Sequence, residues 1–149
     1  LMLVHYDINQ LPVFRNAVIT IGSFDGVHLG HLKIINQLKE TAAAINGETV
    51  IITFHPHPRK VVSSKEFFIL NTLDEKTELL AAAGINHLVI IPFTEIFSEQ
   101  TAEQYIKNFL VETFHPHTII IGYDHKFGKN RKGDYKLMED YGKIGRAHV

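Results

Sequence analysis

Short apolar runs rich in β-branched residues alternate along the chain with longer stretches in which apolar residues recur every three or four positions. The short runs predict buried strands at residues 17–21, 49–54, 87–93 and 118–123. The longer stretches predict helices at residues 28–45, 71–83 and 102–113, and a short helix beginning near Asp134. Strands that alternate with helices are typical of a parallel sheet, so the expected class is α/β.

The residues that flank these stretches predict where the helices begin and end. Residues 72–75 and 101–104 have the capping-box pattern of a helix N-terminus. Asn46-Gly47 predicts the end of the first helix, Gly84 the end of the second and His115-Pro116 the end of the third.

Composition narrows the class of protein. The chain has 149 residues, of which 45% are hydrophobic, and this suits one globular domain with a substantial core. Disulfides are excluded because the sequence has no cysteine. A net charge of -1 indicates no general attraction to nucleic acid, and no apolar run approaches the roughly 20 residues that span a membrane. No export signal is recognisable, so we expect a cytoplasmic protein without a nucleic-acid or membrane partner. The oligomeric state is left open.

The most informative segment is residues 22–31, Gly-Ser-Phe-Asp-Gly-Val-His-Leu-Gly-His, where the first predicted strand turns into the first helix. Ligands of open parallel sheets collect at this edge, and a helix N-terminus favours phosphate. His28 and His31 are three positions apart and share one helix face, while Gly30 allows close approach. The plainer alternative is two polar residues at a helix start. Zinc-protease, P-loop and dinucleotide motifs do not match this segment.

Residue for residue, this segment resembles the Gly-x-Phe-Asp-Gly-Val-His-x-Gly-His signature of the nucleotidyltransferase superfamily, in the form found in prokaryotic FAD synthetases. The resemblance implies a Rossmann-like parallel sheet with helices on both faces. It also implies that His28 and His31 are catalytic and contact the phosphates of ATP. The nucleotide-binding residues that it implies are Gly22, Ser23, Phe24, Asp25, Gly30 and, from a later loop, Arg131.

A second loop follows the second predicted strand and resembles the family's Phe-x-Pro-His-Pro segment. The flavin-binding residues implied in it are Phe54, Pro56, His57 and Pro58. The alternative is a purely structural proline-rich turn. Thr-Phe-His-Pro-His occurs at residues 53–57 and again at 113–117, but one copy follows a strand and the other precedes one, so a shared metal site is disfavoured.

A third loop, residues 121–134, resembles the family's Gly-x-Asp/Asn-x-x-Phe-Gly-x-x-Arg-x-Gly-Asp segment. The resemblance implies that Asp124 and Phe127 belong to the flavin site, that Phe127-Gly128 shapes the turn, and that Arg131 faces phosphate or stabilises the loop. Without the resemblance, a solvated basic loop is favoured. We interpret Phe93, Phe97 and Ser98 as core or pocket wall, and His5, His87 and His125 as structural or surface residues.

The activity that the resemblance implies is transfer of AMP from ATP to FMN, giving FAD and pyrophosphate, with Mg²⁺ and with the FMN phosphate as nucleophile. The family usually adds a riboflavin kinase domain, and neither that domain nor the family's later Ser-Ser-Thr-x-Ile-Arg segment is present in residues 1–149. We therefore expect an FMN adenylyltransferase domain that is truncated at its C-terminal end. The alternatives are a nucleotidyltransferase with another phosphorylated acceptor, such as pantetheine phosphate or glycerol phosphate, and a nucleotide- or flavin-binding fragment without turnover.

Overall fold

A computed structural model describes residues 1–24, 29–55, 73–122 and 124–144. Five parallel strands form one sheet, namely β1 (Leu3–His5), β2 (Val18–Ile21), β3 (Thr49–Phe54), β4 (His87–Ile91) and β5 (Thr118–Ile119). Their order across the sheet is β1-β4-β3-β2-β5. The expected α/β class and parallel sheet are confirmed.

Helices connect the strands. Helix α1 is Leu29–Ala44, α2 is Leu73–Ala82 and α3 is the short Glu95–Ser98. Helix α4 consists of α-helical Ala102–Gln104, π-helical Tyr105–Val111 and α-helical Glu112–Phe114. Helix α5 is Tyr135–Ile144, and short 3-10 turns occur at Ile8–Gln10 and Lys129–Arg131. In the part of the chain that the structure describes, no helix has the length and apolar character needed to cross a membrane.

The sheet is covered on both faces because alternate strand residues point into two separate apolar clusters. Ile19, Val50 and Val89 pack with Ile106 of α4 and Met138 of α5 on one face. The other face is formed by neighbouring strand residues that pack with α1 and α2, among them Val18, Ile51, Leu88, Leu38 and Leu80. The near-continuous apolar runs in the sequence are therefore explained by burial of each strand from two sides.

Most of the predicted boundaries hold to within two residues, and the differences have local causes. The third predicted strand stops at Ile91 because Pro92 follows and has no N–H for the ladder. The prediction of a last strand at 118–123 was too long, since β5 ends at Ile119 and only the Ile120 N–H still donates to the Ile19 carbonyl, at 2.8 Å. Residues 71 and 72, at the predicted start of the second helix, lie outside the described residues.

Two helix ends show how the predicted caps work. The Thr101 hydroxyl accepts the Gln104 N–H and the Gln104 side chain accepts the Thr101 N–H, so this capping box is confirmed. At the end of α1 it is Asn46, not Gly47, that adopts a positive φ of 52°. Gly47 is needed for a different reason, because a Cβ there would collide with the Asn16 carbonyl oxygen.

Candidate functional site

The three loops singled out in the sequence all begin at the carboxyl edge of the sheet. Strand β2 lies between β3 and β5, and all three run parallel. Gly22 follows β2, His55 follows β3 and Asp124 follows β5 within a few residues. The fold therefore brings the starts of these loops together, with the loop that leads into α1 in the middle.

The first loop is anchored to the neighbouring strand. The Gly22 N–H donates to the Ile52 carbonyl at 3.0 Å, which extends the β2–β3 ladder past the end of β2. The Thr53 hydroxyl lies 3.5 Å from the Ser23 carbonyl oxygen, to which it donates. Phe24 is buried, and its backbone has a positive φ of 53°. Because aromatic residues rarely adopt this conformation, the turn is strained at Phe24.

His31 lies in the first turn of α1, which begins at Leu29. Its imidazole packs against the Phe24 ring, with ring centroids 4.9 Å apart and a tilt of 39°. Gly30 is the second residue of the same helix. Asp25 and His28, also expected at this site, lie outside the described residues.

An aromatic cluster lies at the ends of β3 and β4. The half-buried rings of Phe54, Phe93 and Phe97 pack against one another, with centroids 5.3 to 5.5 Å apart. The His55 N–H donates to the Ile91 carbonyl at 3.0 Å and keeps the start of this loop beside β4. Phe93 and Phe97, expected as core or pocket wall, therefore share one surface with Phe54. Pro56, His57 and Pro58 lie outside the described residues.

The third loop closes on itself and docks on α4. Phe127 and Gly133 form a two-way backbone bridge, with N–H to oxygen distances of 3.2 and 2.8 Å. The Phe127 ring is buried and stacks on Tyr105, at a centroid distance of 4.9 Å. A Cβ on Gly133 would collide with the Phe127 ring, and Gly128 has a φ of 76° close to the backbone of Ala102. This packing accounts for the role of Phe127-Gly128 in shaping the turn, whereas the buried Phe127 ring presents little surface to a ligand.

The same loop is also held from outside by a pair of contacts. The Lys129 N–H donates to the Gln100 carbonyl at 2.7 Å, and the Lys129 ammonium lies 2.8 Å from the Glu99 carboxylate. Both Lys129 and Glu99 are exposed, so this ion pair positions the loop more than it stabilises the fold. Arg131 is exposed and has a positive φ of 55°.

His125 is the residue of this loop that the sequence did not single out for function. Burial lowers the pKa of its imidazole, the carboxylate of Asp124 partly offsets that effect, and the charge of Arg131 lowers the pKa further. The imidazole stacks on Phe127, and its Nε2 is buried without a hydrogen-bond partner among the described residues. The charges of Asp124 and Arg131 therefore both act on the His125 imidazole, and spacing along the chain could not reveal this.

No metal centre is found within residues 1–24, 29–55, 73–122 and 124–144, where no three His, Asp or Glu side chains converge as ligands. The described residues of the first Thr-Phe-His-Pro-His segment, 53–55, lie at the carboxyl end of β3, whereas residues 113–117 directly precede β5, so these parts lie at opposite edges of the parallel sheet, as expected.

At the opposite, amino edge of the sheet, a series of hydrogen-bonded polar residues joins three segments of the protein. The His87 Nε2–H donates to the Glu48 carboxylate at 2.7 Å, which leaves the His87 Nδ1 to accept from His5 Nε2 at 3.0 Å. The second Glu48 oxygen accepts the Arg15 N–H at 2.8 Å. Phe14 packs edge-on against both imidazoles. His5 and His87 thus have the structural role expected for them, although their pairing across 82 positions was not predicted.

With this geometry established, comparison with known proteins identifies the family. The model of the FAD synthetase family matches residues 11–149, and the chain belongs to that family. The bifunctional riboflavin kinase/FMN adenylyltransferase of Listeria monocytogenes is 37% identical over 126 residues, which are 83% of this chain and 39% of that protein. The protein of the same name from Buchnera aphidicola is 37% identical over 135 residues, which are 90% of this chain and 43% of that protein.

A second Listeria monocytogenes protein, named FAD synthetase, is 39% identical over 131 residues, which are 85% of this chain and 51% of that protein. The chain thus spans about half the length of these relatives or less. Among solved structures, a protein from Streptococcus pneumoniae described as a macrolide-efflux protein superposes with a TM-score of 0.85 over 95% of this chain and 55% of that one. At 20% sequence identity, this likeness shows the fold alone.

Proposed function

We propose that this chain carries the FMN adenylyltransferase site of its family, where AMP passes from ATP to FMN and pyrophosphate leaves. The observation that carries the proposal is the position of β2 between β3 and β5. This order sets the phosphate-binding start of α1 between a loop with aromatic surface and a loop with Asp124 and Arg131. A nucleotide triphosphate and a flavin phosphate need to meet in just such an arrangement.

The start of α1 supports triphosphate binding. Helix α1 has 16 residues, and its first N–H groups have no partners within the helix. Together they act as about half a positive charge, which favours phosphate. His31, in the first turn, can add a donor from its side chain. We assign the same role to His28 on the strength of the family signature.

The chemistry is a direct displacement at phosphorus. An oxygen of the FMN phosphate forms a bond to the α-phosphorus of ATP, and the bond from that phosphorus to the bridging oxygen of the β-phosphate breaks. The electron pair leaves with pyrophosphate, so no protein nucleophile is needed. The protein contributes donors placed where negative charge develops, and one such donor is commonly worth about 100- to 1000-fold in rate.

Magnesium fits this site as a companion of ATP. Mg²⁺ usually keeps several waters and is held by one or two carboxylates together with substrate phosphates. The described residues contain no group of three ligands that could hold a metal by itself, but Asp124 follows β5 at the correct edge. We therefore assign Asp124 to the MgATP or flavin phosphate region and Arg131 to phosphate.

The cluster of Phe54, Phe93 and Phe97 supports flavin binding. Three half-buried rings that fix one another provide a rigid apolar wall, and such a wall loses little entropy when a flat ring system binds. We assign Pro56, His57 and Pro58 to flavin binding on the strength of the family pattern alone. In this proposal the buried Phe127 shapes the loop that carries Asp124. A cytoplasmic location and the absence of a nucleic-acid partner stay predictions.

The test is FAD formation by the 149-residue chain from radiolabelled ATP and FMN, together with FMN binding followed by flavin fluorescence. We expect His31→Ala and His28→Ala each to lower kcat/KM about 100-fold or more while FMN affinity changes little. Lys136→Ala, on the exposed side of α5, is the control and should behave as wild type.

Each other outcome has a definite meaning. Binding of both substrates without product would support the alternative of a binding fragment. Turnover with pantetheine phosphate or glycerol phosphate in place of FMN would support the alternative acceptor. Wild-type rates in both histidine variants would refute the proposed role of the pair.

A further inference from the structure

Phe24 combines features that a core residue or a ligand contact alone does not require. Its side chain is 2% exposed, although the family signature led us to expect it at the nucleotide. Its φ of 53° lies in the left-handed region, where a bulky aromatic side chain is disfavoured. A conformation of this kind persists only when surrounding contacts enforce it, and it is concentrated at functional sites.

The strained backbone directs the Phe24 ring toward His31. The two ring centroids are 4.9 Å apart and the planes are tilted by 39°, which is direct packing of one ring on the other. His31 belongs to the first turn of α1, where the proposed phosphate site lies. The contact therefore joins the buried core under α1 to a side chain at the site.

Gly22 makes room for this arrangement. A Cβ added to Gly22 would lie 3.0 Å from Cε2 of the Phe24 ring, which is tighter than nine in ten real Cβ contacts, so the ring would have to shift by a few tenths of an ångström. The Ser23 carbonyl between them accepts a hydrogen bond from Thr53, and the Gly22 N–H is bonded to Ile52. The turn that carries Phe24 is thus fixed at its backbone and fits the ring closely at Gly22.

We propose that Phe24 is a positioning residue that holds the His31 imidazole in the orientation needed to donate to the triphosphate. This inference rests on the proposed function, since it assigns His31 to the ATP phosphates. The role expected for Phe24 thus changes from contact with the nucleotide to packing against His31, through which it acts. Loss of the ring would remove this packing from the imidazole, and small misplacements of a catalytic group are costly in rate.

The test compares Phe24→Leu and Gly22→Ala with Leu38→Ala as the matched control. Leu38 is fully buried in the same apolar cluster as Phe24 but is two helical turns from His31 along α1. Phe24→Leu removes the ring, whereas Gly22→Ala keeps the ring and displaces it. All variants are assayed well below their measured unfolding temperatures.

Two readouts are used. The first is the NMR shifts of the His31 ring protons, which the Phe24 ring current perturbs without any turnover. The second is the kinetics of FAD formation. We expect both test variants to move the His31 resonances and to lower kcat about 10- to 100-fold with little change in the KM for FMN. Leu38→Ala should lose stability but keep the His31 shifts and kcat.

Unchanged His31 shifts and kcat in Phe24→Leu would overturn the inference and leave Phe24 a core residue only. If Phe24→Leu does not fold, Gly22→Ala decides by the same two readouts. Failure of the proposed function is seen separately, because His31→Ala would then leave FAD formation unchanged while the NMR comparison still reports on the contact.

Discussion

The hydrogen-bonded polar side chains at the amino edge of the sheet predict that the stability of the fold falls in acid, and that His5 is one cause. Burial and the neighbouring His87 lower the pKa of the His5 imidazole below its ordinary value of 6.5. As the pH falls through 6.5, the unfolded chain takes up a proton at this position before the folded chain does. Stability is therefore lost as the pH falls, and one such proton gives a slope of at most about 1.4 kcal/mol per pH unit. Because His5 is only partly buried, solvent screening keeps its contribution below that limit.

Glu48 extends this acid sensitivity to lower pH. Burial by itself would raise the pKa of the Glu48 carboxyl, but hydrogen bonds from the Arg15 N–H and the His87 imidazole outweigh burial and bring the pKa below 4.5. The stability that Glu48 contributes is complete above pH 4.5 and is lost as the pH falls below it. The histidine and carboxylate effects therefore fall in different pH ranges and can be separated.

The decisive variant is His5→Phe, which keeps an aromatic ring next to Phe14 but removes the titrating group and the donor to His87. At pH 7.5 we expect it to lower the free energy of unfolding by about 1–3 kcal/mol, because the buried Nδ1 of His87 loses its partner. Between pH 7.5 and 5.5 we expect the variant to lose less stability than wild type does. Urea unfolding followed by circular dichroism at both pH values measures these differences.

Ile51→Val is the control for this experiment. Ile51 is fully buried in the middle of β3 and does not titrate, so the variant should lose about 0.5–1.5 kcal/mol equally at both pH values. If His5→Phe loses stability with falling pH as steeply as wild type, the assignment of acid sensitivity to His5 is refuted. If it is as stable as wild type at pH 7.5, the hydrogen bond to His87 contributes nothing.

Three further predictions concern the loops and helices that hold the candidate site. Gly128→Ala should lower the free energy of unfolding by about 1–2 kcal/mol or more, because the φ of Gly128 is 76° and a Cβ there would lie 2.8 Å from backbone atoms of Ala102. Wild-type stability of this variant in urea unfolding would contradict the prediction. Thr101→Ala should cost about 1 kcal/mol through loss of the cap on Gln104, whereas Thr101→Ser should retain most of it. Phe93→Ala should weaken FMN binding up to about 10-fold in a fluorescence titration, and an unchanged Kd would exclude Phe93 from the flavin wall.

The parts of the fold that the sequence predicts are those with a strong local pattern. Strands buried on both faces give continuous apolar runs, and capping residues mark the start of α4 at Thr101. The placement of the three loops at one edge followed from the parallel arrangement alone. These features depend on neighbours along the chain or on a general rule of α/β sheets, so the order of residues is enough to infer them.

The features that escaped prediction depend on contacts between distant residues. Strand β1 has only three residues, and its pairing with β4 joins Leu3 to His87. The π-helical middle of α4 keeps the apolar spacing of an ordinary helix, while its wider turn is visible in the backbone bond from the Glu112 N–H to the Lys107 carbonyl five positions earlier. Burial of Phe24 likewise follows from packing under α1 against residues distant in the chain, which the motif at residues 22–31 does not encode.

Backbone strain provides support for the candidate site that is independent of the family signature. Asn16, Asn46 and Asn130 have positive φ angles, but asparagine tolerates that conformation. His115 also has a positive φ, because it ends α4 as an ordinary left-handed helix cap.

Phe24 and Arg131 have no such local explanation, and they lie in the loops that follow β2 and β5. Two neighbouring strands thus end in loops that hold a bulky residue in a costly conformation, as is common where a protein places side chains for function. If the site had no function, relaxing the exposed Arg131 with glycine would cost no activity. The proposal instead requires that Arg131→Gly, although it relieves backbone strain, lowers the rate of FAD formation.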